Sequence, residues 1–346
     1  MKERFRISTR TTHVLTFFFA LTAGIIIYLV IHDSNSMAFP PAQPITYSML
    51  LDPGATLVDT SAIISVPGRM QFDPEGNVYI LETHFRGGLQ DRIYKFDPKF
   101  NHKKLIGEVG RGPGEYTRPT DIWIDKRGYL YVPDVGNQRI SIWNNTDTLV
   151  KLITNIFIPS DTRIAVDSKG FIYLSSFFTD SLVRKLSPDG SFLRLFGKKN
   201  QNKDRSIVRL ENENSIDFDS DGRLWMSFRY RPVIRTYDTT GVLLWEREFL
   251  TPEMEEERKK YAGKPGALEY NVDIASVPWG GILLFTRNHI NLLNHKTGAI
   301  QFRYRTPELQ YGMVDDILFC QNDSSLWCAS AHFGHILKFD FAPDTQ

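Results

Sequence analysis

Short runs in which apolar and polar residues alternate fill most of the chain, and a period of two marks a strand with one face buried. Four of these runs align with one another: MQFDPEGNVYIL from Met70, IWIDKRGYLYVP from Ile122, IAVDSKGFIYLS from Ile164 and IDFDSDGRLWMS from Ile216. Each reads as an alternating run, then Asp-x-x-Gly, then a second alternating run. The Asp caps a turn and the Gly supplies the positive φ that a tight hairpin requires, so each unit predicts an antiparallel hairpin. Two weaker copies follow, IASVPWGGILLF from Ile274 and ILFCQNDSSLWCAS from Ile317, the second turning near Ser324 without a glycine.

A second hairpin follows the first in most units, as in RISIWNNTDTL from Arg139 and VIRTYDTTGVLLWE from Val233. Two hairpins in roughly 50 residues make a four-stranded sheet, and radial repetition of such sheets is a β-propeller. Six copies predict an all-β, six-bladed β-propeller with four-stranded blades over residues 55–346. The last copy has only three strands of its own, and an open ring would leave a hazardous edge. The apolar stretch TLVDTSAIISVP, residues 56–67, is expected to supply the missing outer strand.

The N-terminus breaks the alternation. Val14 to Ile31 is uniformly apolar or small and uncharged, preceded by Lys2, Arg4, Arg6 and Arg10, and the next basic residue is Arg69. This predicts a cytoplasmic basic tail (residues 1–13), a single transmembrane signal-anchor helix (14–31) and a Pro-rich stalk (32–54), with the body outside the cytoplasm. A cleaved signal peptide ending at Ser36-Met37-Ala38 is the rival reading, and it exports the body equally.

Composition narrows the remaining choices. Hydrophobic residues at 42% and charged residues at 23% are those of a folded chain, and 13% aromatics lean toward β structure. The formal net charge is +1, and beyond residue 38 acids outnumber bases by one, so the body has no electrostatic pull toward nucleic acid. Two cysteines make neither a disulfide scaffold nor a four-thiolate zinc site. Cys320 and Cys328 flank the last hairpin and read equally well as an opposed, bonded pair or as two packed thiols.

The Asp-x-x-Gly hairpins, YVPDVGNQRISIW (Tyr131 to Trp143) and GRGPGEYTRP (Gly110 to Pro119) together resemble the NHL-repeat class of six-bladed propellers, over roughly residues 60–341. The likeness is to exported or membrane-anchored bacterial members without established activity. It implies a bacterial inner, or cytoplasmic, membrane location with the propeller on the periplasmic or extracellular side. It also implies a binding platform, while related six-bladed propellers include metal-dependent lactonases and esterases and a zinc-dependent amidating lyase.

Candidate chemistry concentrates where the innermost strands begin. Seven residues before each turn glycine stand Arg69, Asp121, Arg163, Ser215 and Asp273, with Asp316 the equivalent in blade six. These six are expected to ring the channel mouth. They read either as a site for a polar or anionic ligand, with arginines gripping a carboxylate or phosphate, or as a self-neutralising set in which Arg69 and Arg163 pair with Asp121. Asp273 with Asp316 could begin a calcium site, but Arg69 nearby opposes a cation. His84, His289, His332 and His335 fall in neighbouring loops and read as surface histidines before they read as a zinc site.

No Gly-x-Ser-x-Gly elbow, His-Glu-x-x-His or phosphate-binding glycine loop is present, which favours binding over catalysis. The connections Gly197–Asn214 and Thr251–Asn271 are long and share the face of the strand starts, and Glu253 to Tyr261 predicts a short helix. The expected function is a membrane-anchored, extracytoplasmic binding or scaffold propeller that recognises a protein, peptide or glycan through that loop face, with no cofactor. The alternative is an exported metal-dependent hydrolase or lyase, lactonase- or esterase-like, with its site at the channel mouth.

Overall fold

The computed structural model describes residues 49–51, 56–58, 67–82, 92–100, 103–202, 204–250, 252–261, 269–271, 273–286, 289–305, 316–322, 324–330 and 335–343. The chain forms six antiparallel sheets whose strands pair in chain order, hairpin after hairpin. The first strands of the blades are Pro67–Phe72, Trp123–Ile124, Arg163–Val166, Asn214–Phe218, Asp273–Val277 and Asp316–Cys320. They lie side by side around a central channel.

In blades one to four the local cause of the inner hairpin is its Asp. Asp125 Oδ1 accepts from the backbone N–H groups of Arg127 (2.9 Å) and Tyr129 (3.0 Å), and Asp167 and Asp219 repeat the pattern. The second carboxylate oxygen takes the aromatic hydrogen-bond donor six residues on: Tyr131, Tyr173 or Trp225. The turn glycines hold positive φ, +78° at Gly128 for example, and Ser324 fills that position in blade six at +54°.

Hydrophobic burial lies between blades rather than within them. One apolar cluster occupies each of the six junctions, from Tyr79, Leu81, Ile122 and Trp143 between blades one and two to Met70, Ile80, Trp327 and Ile336 between six and one. A sheet that buries both faces this way cannot be stable alone, so the ring is the folding unit.

Closure takes a different form from the single strand expected. Two short N-terminal segments share the outer edge of blade six: Thr56–Val58 pairs with residues 336–338 and Met49–Leu51 with residues 341–343, both antiparallel. Met49–Leu51 falls in the stretch read as stalk, and Pro67 already belongs to blade one. The remainder of the tail, anchor helix and stalk lies outside the described residues. No helix among the described residues is long and apolar enough to cross a membrane.

Two helices sit in the long connections. The expected helix is Pro252–Lys260 (α2). A second, Arg205–Asn212 (α1), was not expected from the sequence; Asp204 caps it by accepting from Ser206 N at 2.8 Å.

Candidate functional site

The six predicted ring residues, Arg69, Asp121, Arg163, Ser215, Asp273 and Asp316, all line one small cavity of about 40 Å³ in the channel. Their pairing differs from the expected one. Arg69 Nη1 donates to Asp316 Oδ1 at 2.7 Å and to Asp273 Oδ2 at 3.0 Å, whereas its Nε lies 3.9 Å from Asp121. The guanidinium therefore occupies the place between Asp273 and Asp316 where a cation would sit. Among the described residues the Arg163 side chain has no hydrogen bond and no ion pair, so it does not join Asp121 in the expected set.

Three ring carboxylates also fasten blade to blade. Asp121 Oδ2 accepts from Ile164 N (2.9 Å), Asp273 Oδ2 from Ile317 N (3.3 Å) and Asp316 Oδ2 from Met70 N (2.6 Å). In each case an acid at the start of one inner strand takes the first channel-facing N–H of the next. Blade four carries Ser215 at that position, and its acid stands two residues deeper: Asp217 Oδ2 accepts from Ser276 N of blade five at 2.6 Å.

These placements set the charges. Burial works against the charge on Arg69, but Asp273, Asp316 and Asp121 outweigh it and raise its pKa. Burial pushes Asp273 up, yet Arg69 holds it below the usual carboxylate range. Burial lifts Asp316 well above that range, with Asp273 adding to the rise. The two carboxyls titrate as a pair, and burial with their mutual repulsion opposes ionising both beside one guanidinium. Burial also pushes Asp217 up to about 7. Arg163 is lowered by burial and by the nearby Arg69.

Below the ring the channel widens into a bowl of about 700 Å³ that opens among the inner-hairpin turns of all six blades. Its wall combines Phe72, Trp123, Phe218 and Phe319 with Lys126, Arg127, Asp221 and Asn322 near the rim. Gln71, Trp123, Asp217, Ala275 and Leu318 line both spaces, so the ring cavity is continuous with the bowl.

The family model described as a 6-bladed beta-propeller (DUF5128) matches residues 79–240. NHL repeat-containing protein 3 of Homo sapiens is 31% identical over 110 residues, and its Mus musculus counterpart 30% over 129 residues. The chain spans about a third of the length of these curated relatives. A streptogramin B lyase structure superposes with a TM-score of 0.57 at 15% identity, covering 84% of this chain and 98% of that one. A putative exported protein from Bacteroides fragilis gives 0.57 at 12%, covering 88% and 99%. This is an NHL-like six-bladed β-propeller. At these identities the solved structures speak for the fold alone.

Within the propeller, the motifs that carried the resemblance are structural. Asp134 Oδ1 accepts from Thr117 N, Arg118 N and Asn137 N, and Asn137 Nδ2 bridges Asp134 Oδ2 (2.6 Å) and Gly110 O (2.9 Å). Arg139 donates to the carbonyls of Arg111, Gly112 and Glu115 at 3.1, 2.6 and 2.8 Å, pinning the GRGPGEY loop onto blade two.

Cys320 and Cys328 are buried and not joined by a disulfide. They are not opposed, because Cys320 pairs in register with Ser325 and Cys328 with Ile317. His84 and His332 lie outside the described residues, as does the side chain of His335; His289 Nδ1 sits 3.3 Å from Arg303 Nη2. Asp217 escaped the sequence reading because it sits inside an alternating strand. Five residues before the turn glycines stand Gln71, Trp123, Ala165, Asp217 and Ala275, and comparing those positions singles it out as the acid.

Proposed function

We propose that this propeller is a binding platform, carried outside the cytoplasm on its N-terminal apolar segment, that holds a protein, peptide or glycan. The observation that carries this reading is the bowl. Its volume lies in the ordinary range of ligand pockets, it mixes aromatic walls with a few polar groups, and every blade contributes to it. The connection face expected from the sequence carries α1 and α2, but the larger recess opens on the opposite face, among the turns.

The ring acids are engaged in holding blades together and in neutralising Arg69, which supports binding over turnover. The test is a screen of the full-length protein against peptide and glycan arrays. Wild type is expected to retain a ligand that the double variant Lys126→Glu, Asp221→Lys releases at an unchanged melting temperature. Equal retention by both, or chemical conversion of the ligand, would overturn the reading. Protease accessibility of the body in intact cells checks the exported, tethered placement.

A further inference from the structure

Carboxylates fasten four of the six junctions across the blades, and at a fifth the equivalent N–H is taken by an acid of its own blade. Carboxylates join blade two to three (Asp121), four to five (Asp217), five to six (Asp273) and six to one (Asp316). Between blades one and two the N–H of Ile122 is taken by Asp121 Oδ1 at 3.0 Å, with Arg69 alongside. Between blades three and four no side-chain acceptor among the described residues reaches Ile216 N, the register equivalent of Met70, Ile164 and Ile317, six residues before its turn glycine. The residue that would supply the acid there is Arg163. The junction therefore presents two donors, a guanidinium and a backbone N–H, where the other junctions place an acceptor.

Arg163 is partly exposed, lines the ring cavity, and has no side-chain partner among the described residues. The charged groups around it are Arg69, Asp121, Asp273, Asp316 and Asp161. Arg69 is committed to Asp273 and Asp316, both oxygens of Asp121 accept backbone N–H groups, and Asp161 accepts from Ser176 Oγ and Phe177 N. The remaining positive group is thus Arg163. A cavity of about 40 Å³ holds a carboxylate but not a sugar ring, since a single water needs about 10–15 Å³ on the same measure.

The geometry points to a carboxylate site at the junction of blades three and four, in which a carboxylate of an acidic peptide held in the bowl takes donors from Arg163 and Ile216 N and completes the missing fastening. This rests on the binding reading above and names the ligand's chemistry. A guanidinium and a backbone N–H lining the same small cavity supply donors for the two oxygens of a carboxylate.

The test uses the full-length protein with sodium formate as probe, against sodium chloride at equal ionic strength, followed by thermal melting. Formate is expected to give a saturable rise in melting temperature in wild type, with at least about tenfold weaker response in Arg163→Gln. Arg163→Asn, whose short amide can accept from Ile216 N, provides a second variant without the guanidinium should the first fail to fold. No formate-specific rise in wild type, or an equal rise in both variants, would overturn the site. Peptides ending in a free acid or an amide, and carrying Glu or Gln, then separate the two sources of carboxylate. Peptides that bind regardless of any carboxylate would sink this site and leave the bowl standing. A formate response without peptide binding would sink the bowl as a peptide site and leave Arg163 standing.

Discussion

Arg69 and Arg163 stand at the same register position of the same repeat, and the structure gives them opposite fates. Arg69 reaches across blade six to Asp316 and on to Asp273, and three acids raise its pKa; Arg163, in blade three, is left unbonded. The difference follows the chain's own seam. Blades six and one are where the two ends of the propeller meet, and that junction is fastened twice, by N-terminal strands on the outer edge and by the Arg69 cluster on the inner one. The junction of blades three and four is continuous in sequence and carries no such lock. A repeat position therefore does not define a role; the residues it meets across the channel do.

The largest effect that could break this comparison is at the seam itself. Truncation to residue 59 strips the partners of the last strand, His335–Pro343, and is expected to abolish cooperative unfolding and promote aggregation. A melting curve unchanged by the truncation would show that the seam needs no strand. Next comes Arg69→Met, which leaves Asp273 and Asp316 in the channel without their cation. It should cost about 3–5 kcal/mol in urea unfolding, against less than about 1 kcal/mol for Arg163→Met. Arg139→Ala, far from the channel but similarly engaged, should cost about 2–3 kcal/mol by freeing three carbonyls of the GRGPGEY loop.

A smaller effect sharpens the comparison by pH. Asp217 has a folded pKa near 7, above its unfolded value near 4. Its contribution to stability is present in full below pH 4 and is lost as pH rises toward 7. Asp217→Asn should flatten that part of the stability profile between pH 4 and 7, and a profile as steep as that of wild type would place the titration elsewhere.

Much of this architecture was legible in the chain because it is repeated. Four Asp-x-x-Gly hairpins and two weaker copies located six blades and their turns, and the position seven residues before each of five turn glycines, with Asp316 in blade six, located one ring of six side chains. Pairing within the ring was not legible: Asp273 and Asp316 lie 204 and 247 residues from Arg69, and reach across a channel decides between them and Asp121. The cysteine pair stayed open between a bond and two packed thiols because spacing alone does not give the register, and the hairpin sets Cys320 opposite Ser325 and Cys328 opposite Ile317. Helix α1 was hidden by its length, eight residues with a single capping acid. Asp217 was hidden by alternation, which makes any polar residue inside a strand look like a solvated one.

The most direct test of the contrast is a pair of double-mutant cycles measured by urea unfolding, Arg69 with Asp316 and Arg163 with Asp121. The first should show a coupling of about 1 kcal/mol or more, and the second a coupling within about 0.5 kcal/mol of zero. Equal couplings in the two cycles would contradict the assignment of Arg69 as the lock and Arg163 as the free donor.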